Sequence, residues 1–399
     1  MPLATDEKKL APDSRCEEVL YRNGVPAFAP TVLSRLYGSL YGMLPALQAI
    51  GDNSAQGIFT YVRRYISDRA AQIDILLMFR QEDCTVRVLN EGMALEQTSI
   101  DAFCRHVFAT MPGTAQIEFH AIALPARCAP QNRSTGGSPV RPPGSRPCLC
   151  WPCTEDIVIR LPDSPQSYLS ELGKATRKSI RKHLSRARQQ LPGFAHHVIP
   201  GTALDDTVVR QIVSFNHARM AQQGRASAID EQATRELISL MRSCGEAGVI
   251  VSGTTLCAGT LACRVGDDVF SLVNAHDPRF DHLGLGKVCR HLTILQAIST
   301  GAQRFHLLGG NLPAKRATRA ERQPLYHLTV YRTRLAMLRG ATGIARHAGN
   351  ACRFWLHCRF EDQQAVAPSG WLGRVIGALR KRRHALLPAN APAAPEALR

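Results

Sequence analysis

The sequence predicts a mixed α/β (α+β) fold, a mixed sheet with flanking helices built as two related lobes. Three observations predict it. Short β-rich runs alternate with stretches of helical period, an order strand-turn-strand-helix-strand occurs in both halves, and a Pro/Gly-rich break lies between the halves. At 399 residues the chain is long for one compact domain and comfortable for two. Its 45% hydrophobic and 20% charged residues are an ordinary globular composition.

Residues 1–30 contain Pro2, Pro12, Pro26 and Pro30 with little apolar periodicity and read as a loose N-terminal arm. The first lobe is expected over 31–124. Ile73 to Arg80 and Thr85 to Leu89 read as strands around the polar turn Gln81-Glu82-Asp83. Ser99 to Met111 reads as a helix, with Ser99 as cap and Ile100, Phe103, Val107 and Phe108 at helical spacing. Gln116 to Leu124 returns to a strand.

Residues 125–154 read as a disordered insert, because six prolines with Gly, Ser and Arg between Ala126 and Pro152 cannot bury enough surface to offset chain entropy. The second lobe is expected over 155–340. Asp156 to Leu161 is a strand. Ser164-Pro165 opens a helix expected to run to about Gln190, its apolar stripe set against Lys174, Arg177, Lys178, Arg181, Lys182, Arg186 and Arg188. Asp205 to Gln222 and Asp230 to Cys244 read as two more helices, the second capped by Asp230. Val249 to Ser252 and Thr255 to Val265 read as a hairpin, and Asp268 to Ala275 as a strand. Lys287 to Thr300 reads as a helix, and Arg304 to Leu308 and Tyr326 to Tyr331 as strands. Residues 341–399 read as a basic extension, disordered at its Ala/Pro-rich end.

The thirteen cysteines mostly stand singly in apolar stretches, as buried thiols of a reducing compartment do. Cys148, Cys150 and Cys153 lack a fourth ligand at zinc spacing and read as incidental to the insert, so no metal is expected. No run approaches about 18 apolar residues, and no apolar h-region follows Met1 to Leu10, so a cytoplasmic protein is expected. The net charge of +17 gathers at 174–188 and 374–383, which favours anionic partners. Residues 371–383 form a short cationic amphipathic segment, capable at most of peripheral membrane contact.

The stretch that carries chemistry is Asp281-His282-Leu283-Gly284-Leu285-Gly286-Lys287, between a strand and a helix. Gly-x-Gly there allows close backbone approach and leaves first-turn amides free, which with the helix dipole make an anion site suited to a pyrophosphate. The order hairpin, strand, Gly-x-Gly loop, helix, strand resembles the acyl-CoA-binding core of the GNAT superfamily. Further segments resemble its CelD-like and Fem-type subgroup: Tyr168-Leu169 through Arg177-Lys178-Ser179-Ile180-Arg181, Asn216-His217-Ala218-Arg219-Met220, Asp277-Pro278, and Phe305 to Gly310 followed by Lys315. Asp281 stands where the superfamily pattern has Gln or Arg, with Lys287 nearby to supply positive charge. His306 stands where the subgroup often has Asp.

The resemblance implies an N-acyltransferase that moves an acyl group, typically acetyl, from acyl-CoA to an amine, without a cysteine nucleophile and without a metal. It implies that Leu283, Gly284, Leu285, Gly286 and Lys287 hold the acetyl-CoA pyrophosphate. It places Asn274, His276 and Asp277 at the reaction centre, with His276 as base, Asp277 orienting it, and Tyr326 as acid for the leaving thiolate. Arg177, Arg181 and Lys315 would contact phosphate or acceptor. By analogy the acceptor is a small metabolite, an amino sugar or a glycan precursor in polysaccharide biosynthesis. Two readings stay beside this one: a Fem-like transferase with aminoacyl-tRNA as donor, favoured by the basic helix, and a non-catalytic module that binds an anionic ligand.

Overall fold

The computed structural model describes residues 15–22, 58–67, 70–92, 95–124, 146–265, 267–308 and 317–366. Lys315 and the cationic segment 371–383 lie outside these residues, as does most of the Pro-rich insert. The described chain is mixed α/β and divides into two compact units.

The first unit takes its residues from the N-terminal third, from 140–150 and from 327–342. Its strands β1 (Arg15–Arg22), β2 (Ile58–Ser67), β3 (Ala70–Glu82) and β4 (Thr85–Val88) pair antiparallel in chain order. The tight turn between β3 and β4 holds Asp83 at φ 51°, and β5 (Gln116–Ile122) lies parallel to β4. A parallel neighbour requires a crossover, supplied by α1 (Gln97–Thr110). That helix buries Ile100, Phe103, Val107 and Phe108. Phe103 meets Phe79 and Phe119 edge-on, at centroid distances of 5.3 and 5.8 Å, a geometry favoured by the ring quadrupoles. Ser99 sits inside α1 and is buried, and Glu96 is the cap residue. β1 corrects the expectation of a loose arm, because Arg15–Arg22 finds its ladder partner in β2, far along the chain.

The second unit spans 151–326 and resumes from residue 343. Its sheet runs β12 (Glu321–Tyr331), β6 (Cys148–Arg160), β11 (Arg304–His306), β10 (Asp268–His276), β9 (Thr255–Val265), β8 (Gly245–Ser252) and β7 (Phe194–Pro200). β10 and β11 are parallel, whereas β11 with β6, β10 with β9, β9 with β8 and β8 with β7 are antiparallel. β6 starts at Cys148, so Cys148, Cys150 and Cys153 are strand residues and not part of a flexible loop. Cys148 and Cys150 are buried, and the Cys153 thiol reaches the Leu325 carbonyl at 3.5 Å.

The expected helix 164–190 is two: α2 (Pro165–Glu171), capped by Ser164, and α3 (Lys174–Gln190). Leu172 and Gly173 are extended between them. Glycine is the weakest ordinary helix former, and the break lets Tyr168 and Leu172 both enter the core. The helices α4 (Asp206–Gln222) and α5 (Glu231–Cys244) start at Asp205 and Asp230, whose carboxylates accept first-turn amides. Each such cap is worth about 1 kcal/mol.

Two glycines show how the faces of this sheet are covered. A Cβ at Gly248 would collide with Thr293 of α6 (Leu285–Ser299), and one at Gly259 with Ile212 of α4. Gly248 pairs with Thr260, the neighbour of Gly259, and successive strand residues face opposite sides. Thus α6 covers one face and α4 the other. After β12 come α7 (Arg334–Arg339) and then α8 (Ala341–Val366), with which the basic extension from 341 begins. No helix among the described residues is long and apolar enough to cross a membrane.

Candidate active site

The site begins with a strand that loses its neighbour. Only Asp268, Val269 and Phe270 of β10 pair with β11. Beyond His306 the Leu307 N–H bonds the Ile157 carbonyl of β6. From Ser271 to His276, β10 therefore has no ladder to β11, and among the described residues no strand pairs along that edge. The register against β9 slips between Ser271 and Val273, which makes Leu272 an extra residue. Such a bulge bends a strand and re-aims its side chains.

The chain then turns sharply into α6. The Asp277 N–H is tied to the Cys257 carbonyl, and residues 278–283 form a short 3₁₀ turn. Gly284 follows at φ 65°, a left-handed conformation suited to glycine. A Cβ at Gly284 would come within 2.8 Å of the His183 ring. At Gly286 it would lie 3.1 Å from His276 Nδ1 and 3.5 Å from Asn274 Nδ2. The end of β10 and the start of α6 thus pack backbone against side chain. At a helix start the first amides, here those of Leu285 and Gly286, lack intrahelical acceptors, and the dipole adds partial positive charge. Leu283 and Leu285 are buried and anchor this turn, whereas Lys287 is exposed.

α3 braces the turn from outside. His183 Nδ1–H donates to the Leu283 carbonyl at 2.9 Å, and His282 Nε2 lies 3.1 Å from Gln190 Oε1. Arg181 is exposed on this helix, and Arg177 donates to the Ser170 carbonyl at 3.3 Å. Among the described residues, none of the seven cations counted on α3 from the sequence pairs with a carboxylate.

The predicted reaction-centre residues separate in the structure. His276 and Asn274 come together over Gly286, and Asn274 Oδ1 accepts from the Thr260 hydroxyl at 2.8 Å. His276 Nε2 lies 2.8 Å from Asp281 Oδ1. Asp277 is not its partner. The Asp277 carboxylate takes the Arg279 backbone N–H and a two-pronged guanidinium contact at 2.6 and 2.9 Å, and these hold it below the usual carboxylate range. The physical reason is alternation: His276 and its successor in extended backbone point opposite ways. Tyr326 is also corrected. It is buried in β12, three strand spacings from β10 or roughly 14 Å.

Residues outside the predicted site set also converge here. Asp281, read as a departure from pattern, is the histidine's partner. Arg219 of α4 donates to the Asn274 carbonyl at 3.2 Å. At the closed end of the strand pair, His306 Nδ1 meets Asp156 at 2.6 Å, Arg304 forks onto Asp268 at 2.6 and 2.7 Å, and Phe270 stacks on His306 at 4.2 Å. Burial alone would lower the His306 pKa, and its hydrogen bond to Asp156, together with the Asp268 carboxylate 3.8 Å from Nε2, outweighs that, so the net shift is upward.

With this geometry in hand, comparison with known proteins is informative. Residues 174–316 match the profile of the acetyltransferase (GNAT) domain family. FemX is similar in structure with a TM-score of 0.52 and 9% identity, covering 78% of this chain and 96% of that one. A conserved protein of unknown function from Bacteroides thetaiotaomicron gives 0.49 and 9%, covering 79% and 100%. The L-PGS of Bacillus licheniformis gives 0.40 and 11%, covering 64% and 80%. No curated protein matches the sequence significantly. The family match coincides with the open-edged strand, the glycine turn and the helix that follows it: residues 174–316 are similar to the GNAT acetyltransferase domain.

Proposed function

We propose that the second unit is an acyl-CoA-dependent N-acyltransferase acting on a small amine, an amino sugar or a glycan precursor. The observation that carries this reading is the open edge of β10 beside the amides at the start of α6. Free strand N–H groups suit a thioester carbonyl, and the helix start suits the pyrophosphate of CoA. Lys287 and the cations of α3 that meet no carboxylate among the described residues, Arg177 and Arg181 among them, would hold the remaining phosphate.

In the reaction the amine nitrogen attacks the thioester carbonyl carbon. A C–N bond forms, the C–S bond breaks, and CoA leaves as a thiolate that takes up one proton. His276 accepts the proton that the amine gives up. Donation from its Nε2–H to Asp281 leaves Nδ1 as the proton acceptor. That nitrogen faces the start of α6.

A second reading, aminoacyl-tRNA as donor, is favoured by one observation: α3 presents Lys174, Lys178, Arg181, Lys182, Arg186 and Arg188 to solvent with no acidic partner among the described residues. Donor assays with one amine panel separate the two. The CoA reading expects transfer from labelled acetyl-CoA that is insensitive to ribonuclease. Transfer from aminoacyl-tRNA alone, abolished by ribonuclease, would overturn it.

A further inference from the structure

The open edge of β10 also gathers positive charge that no carboxylate among the described residues neutralises. Arg219 reaches it from α4, on one face of the sheet, and bonds the Asn274 carbonyl at 3.2 Å and Asn216 Oδ1 at 2.9 Å. Arg290 lies on α6, on the other face, one helical turn beyond Gly286 and on the same side of the helix. Each guanidinium keeps a buried Nε–H with no acceptor. Tyr168 of α2 stacks on His291, the neighbour of Arg290, with ring centroids 6.1 Å apart. The Tyr168 side chain is 1% exposed, and its hydroxyl has no hydrogen-bond partner.

The electrostatics agree. Burial lowers the Arg290 pKa most, and the Arg219 charge lowers it further; only Cys289 and Tyr168 act in the opposite sense. No carboxylate among the described residues pairs with either guanidinium. Two half-buried like charges with orphaned donors are costly unless a bound anion compensates them. An acid kept outside the protein and delivered with the substrate meets that need.

We infer that Arg219, Arg290 and Tyr168 form an oxyanion subsite that binds an acidic group, carboxylate or phosphate, on the acyl acceptor. This rests on the acyltransferase reading for the word acceptor, and the subsite itself does not depend on it. The CoA pyrophosphate belongs at the amides of Leu285 and Gly286, a turn away from Arg290. An amine held by its own acidic group at this edge would stand beside the open strand where the thioester is expected. Such anchoring converts binding energy into orientation of the nucleophile.

The test is thermal denaturation of the full chain in inorganic phosphate and in acetate, against chloride at matched ionic strength. Arg290→Met and Tyr168→Phe are run beside wild type. At least one of the two anions should raise the wild-type melting temperature above the chloride control, and which one does so names the acidic group. The apparent affinity should fall at least about tenfold in Arg290→Met, where a charge-assisted pair is lost, and about threefold in Tyr168→Phe. In chloride, Arg290→Met should melt no lower than wild type, because it removes an unpaired buried charge; a purely structural arginine would leave it less stable. No anion effect beyond chloride, or an equal effect in wild type and Arg290→Met, overturns the subsite. Calorimetric titration of the same proteins with CoA keeps the two ideas apart. If anions stabilise wild type selectively and CoA fails to bind, the subsite stands and the acyl-CoA reading falls.

Discussion

The hairpin, helix and parallel strand formed by β3, β4, α1 and β5 in the first unit recur as β9, β10, α6 and β11 in the second, and the two differ in how strand and helix meet. In the first, all four residues of β4 pair with β5, from Thr85 with Gln116 to Val88 with Phe119. The space between strand and helix is filled by Phe79, Phe103 and Phe119, all fully buried. In the second, six residues of β10 run on past the last β11 pair. A bulge at Leu272, a left-handed Gly284 and a side-chain-free Gly286 replace the aromatic filling. The same topology therefore yields either a packed lobe or an opened one. The difference lies in how far the parallel ladder extends and in what fills the start of the crossover helix.

The largest effect expected from breaking this contrast is at His276. His276→Ala should lower kcat by roughly 10²–10⁴-fold, the usual range for a lost general base, with CoA affinity retained. Asp281→Asn should cost less, about tenfold, because it removes only the partner that sets the imidazole tautomer. Asp277→Asn should leave the chemical step unaltered, since that carboxylate serves Arg279. If Asp277→Asn proves as damaging as Asp281→Asn in steady-state kinetics, the assignment of partners is wrong.

A smaller effect separates the closed ends of the two ladders. The paired residues of β4 and β5 include no histidine, whereas His306 of β11 is buried between Asp156 and Asp268. Its folded pKa is raised above its unfolded value of about 6.5. The stability it contributes is fully present below pH 6.5 and is lost as pH rises through the folded value. The melting temperature of the second unit should thus fall on the alkaline side, and His306→Gln should flatten that slope. On the acid side, burial lowers His291 to about 4. Its contribution is present above pH 6.5 and is lost as pH falls toward 4. Melting curves at a series of pH values read both, and a slope unchanged in His306→Gln would remove His306 as its source.

Much of this architecture is legible in the sequence, and the exceptions have physical causes. α6 and its glycine turn are visible because periodicity, a Gly-x-Gly spacing and a preceding β-rich run all point the same way. β1 and β7 are edge strands whose evidence is a partner elsewhere in the chain, so local pattern does not reveal them. The first half of β6 is masked by proline and cysteine, which read as linker chemistry until β12 is seen beside it. The site is harder to read than the fold. Asn274, His276 and Gly286 follow from position alone. The partner role of Asp281 and the place of Tyr326 depend on side-chain direction and strand order, which local sequence does not carry. Arg219, Arg290 and Tyr168 come from three helices that only the sheet brings together.

The account turns on the claim that the open β10 edge and the start of α6 receive CoA while the packed first unit does not. Calorimetric titration of wild type, Gly286→Glu and Gln97→Glu with acetyl-CoA tests it most directly. Both substitutions place a carboxylate in the first turn of a crossover helix, α6 in one case and α1 in the other. The account predicts that Gly286→Glu weakens binding by roughly 100-fold, about 2.8 kcal/mol at 1.4 kcal/mol per decade, and that Gln97→Glu leaves it unchanged. Absence of acetyl-CoA binding by wild type, or undiminished binding by a folded Gly286→Glu, would contradict it.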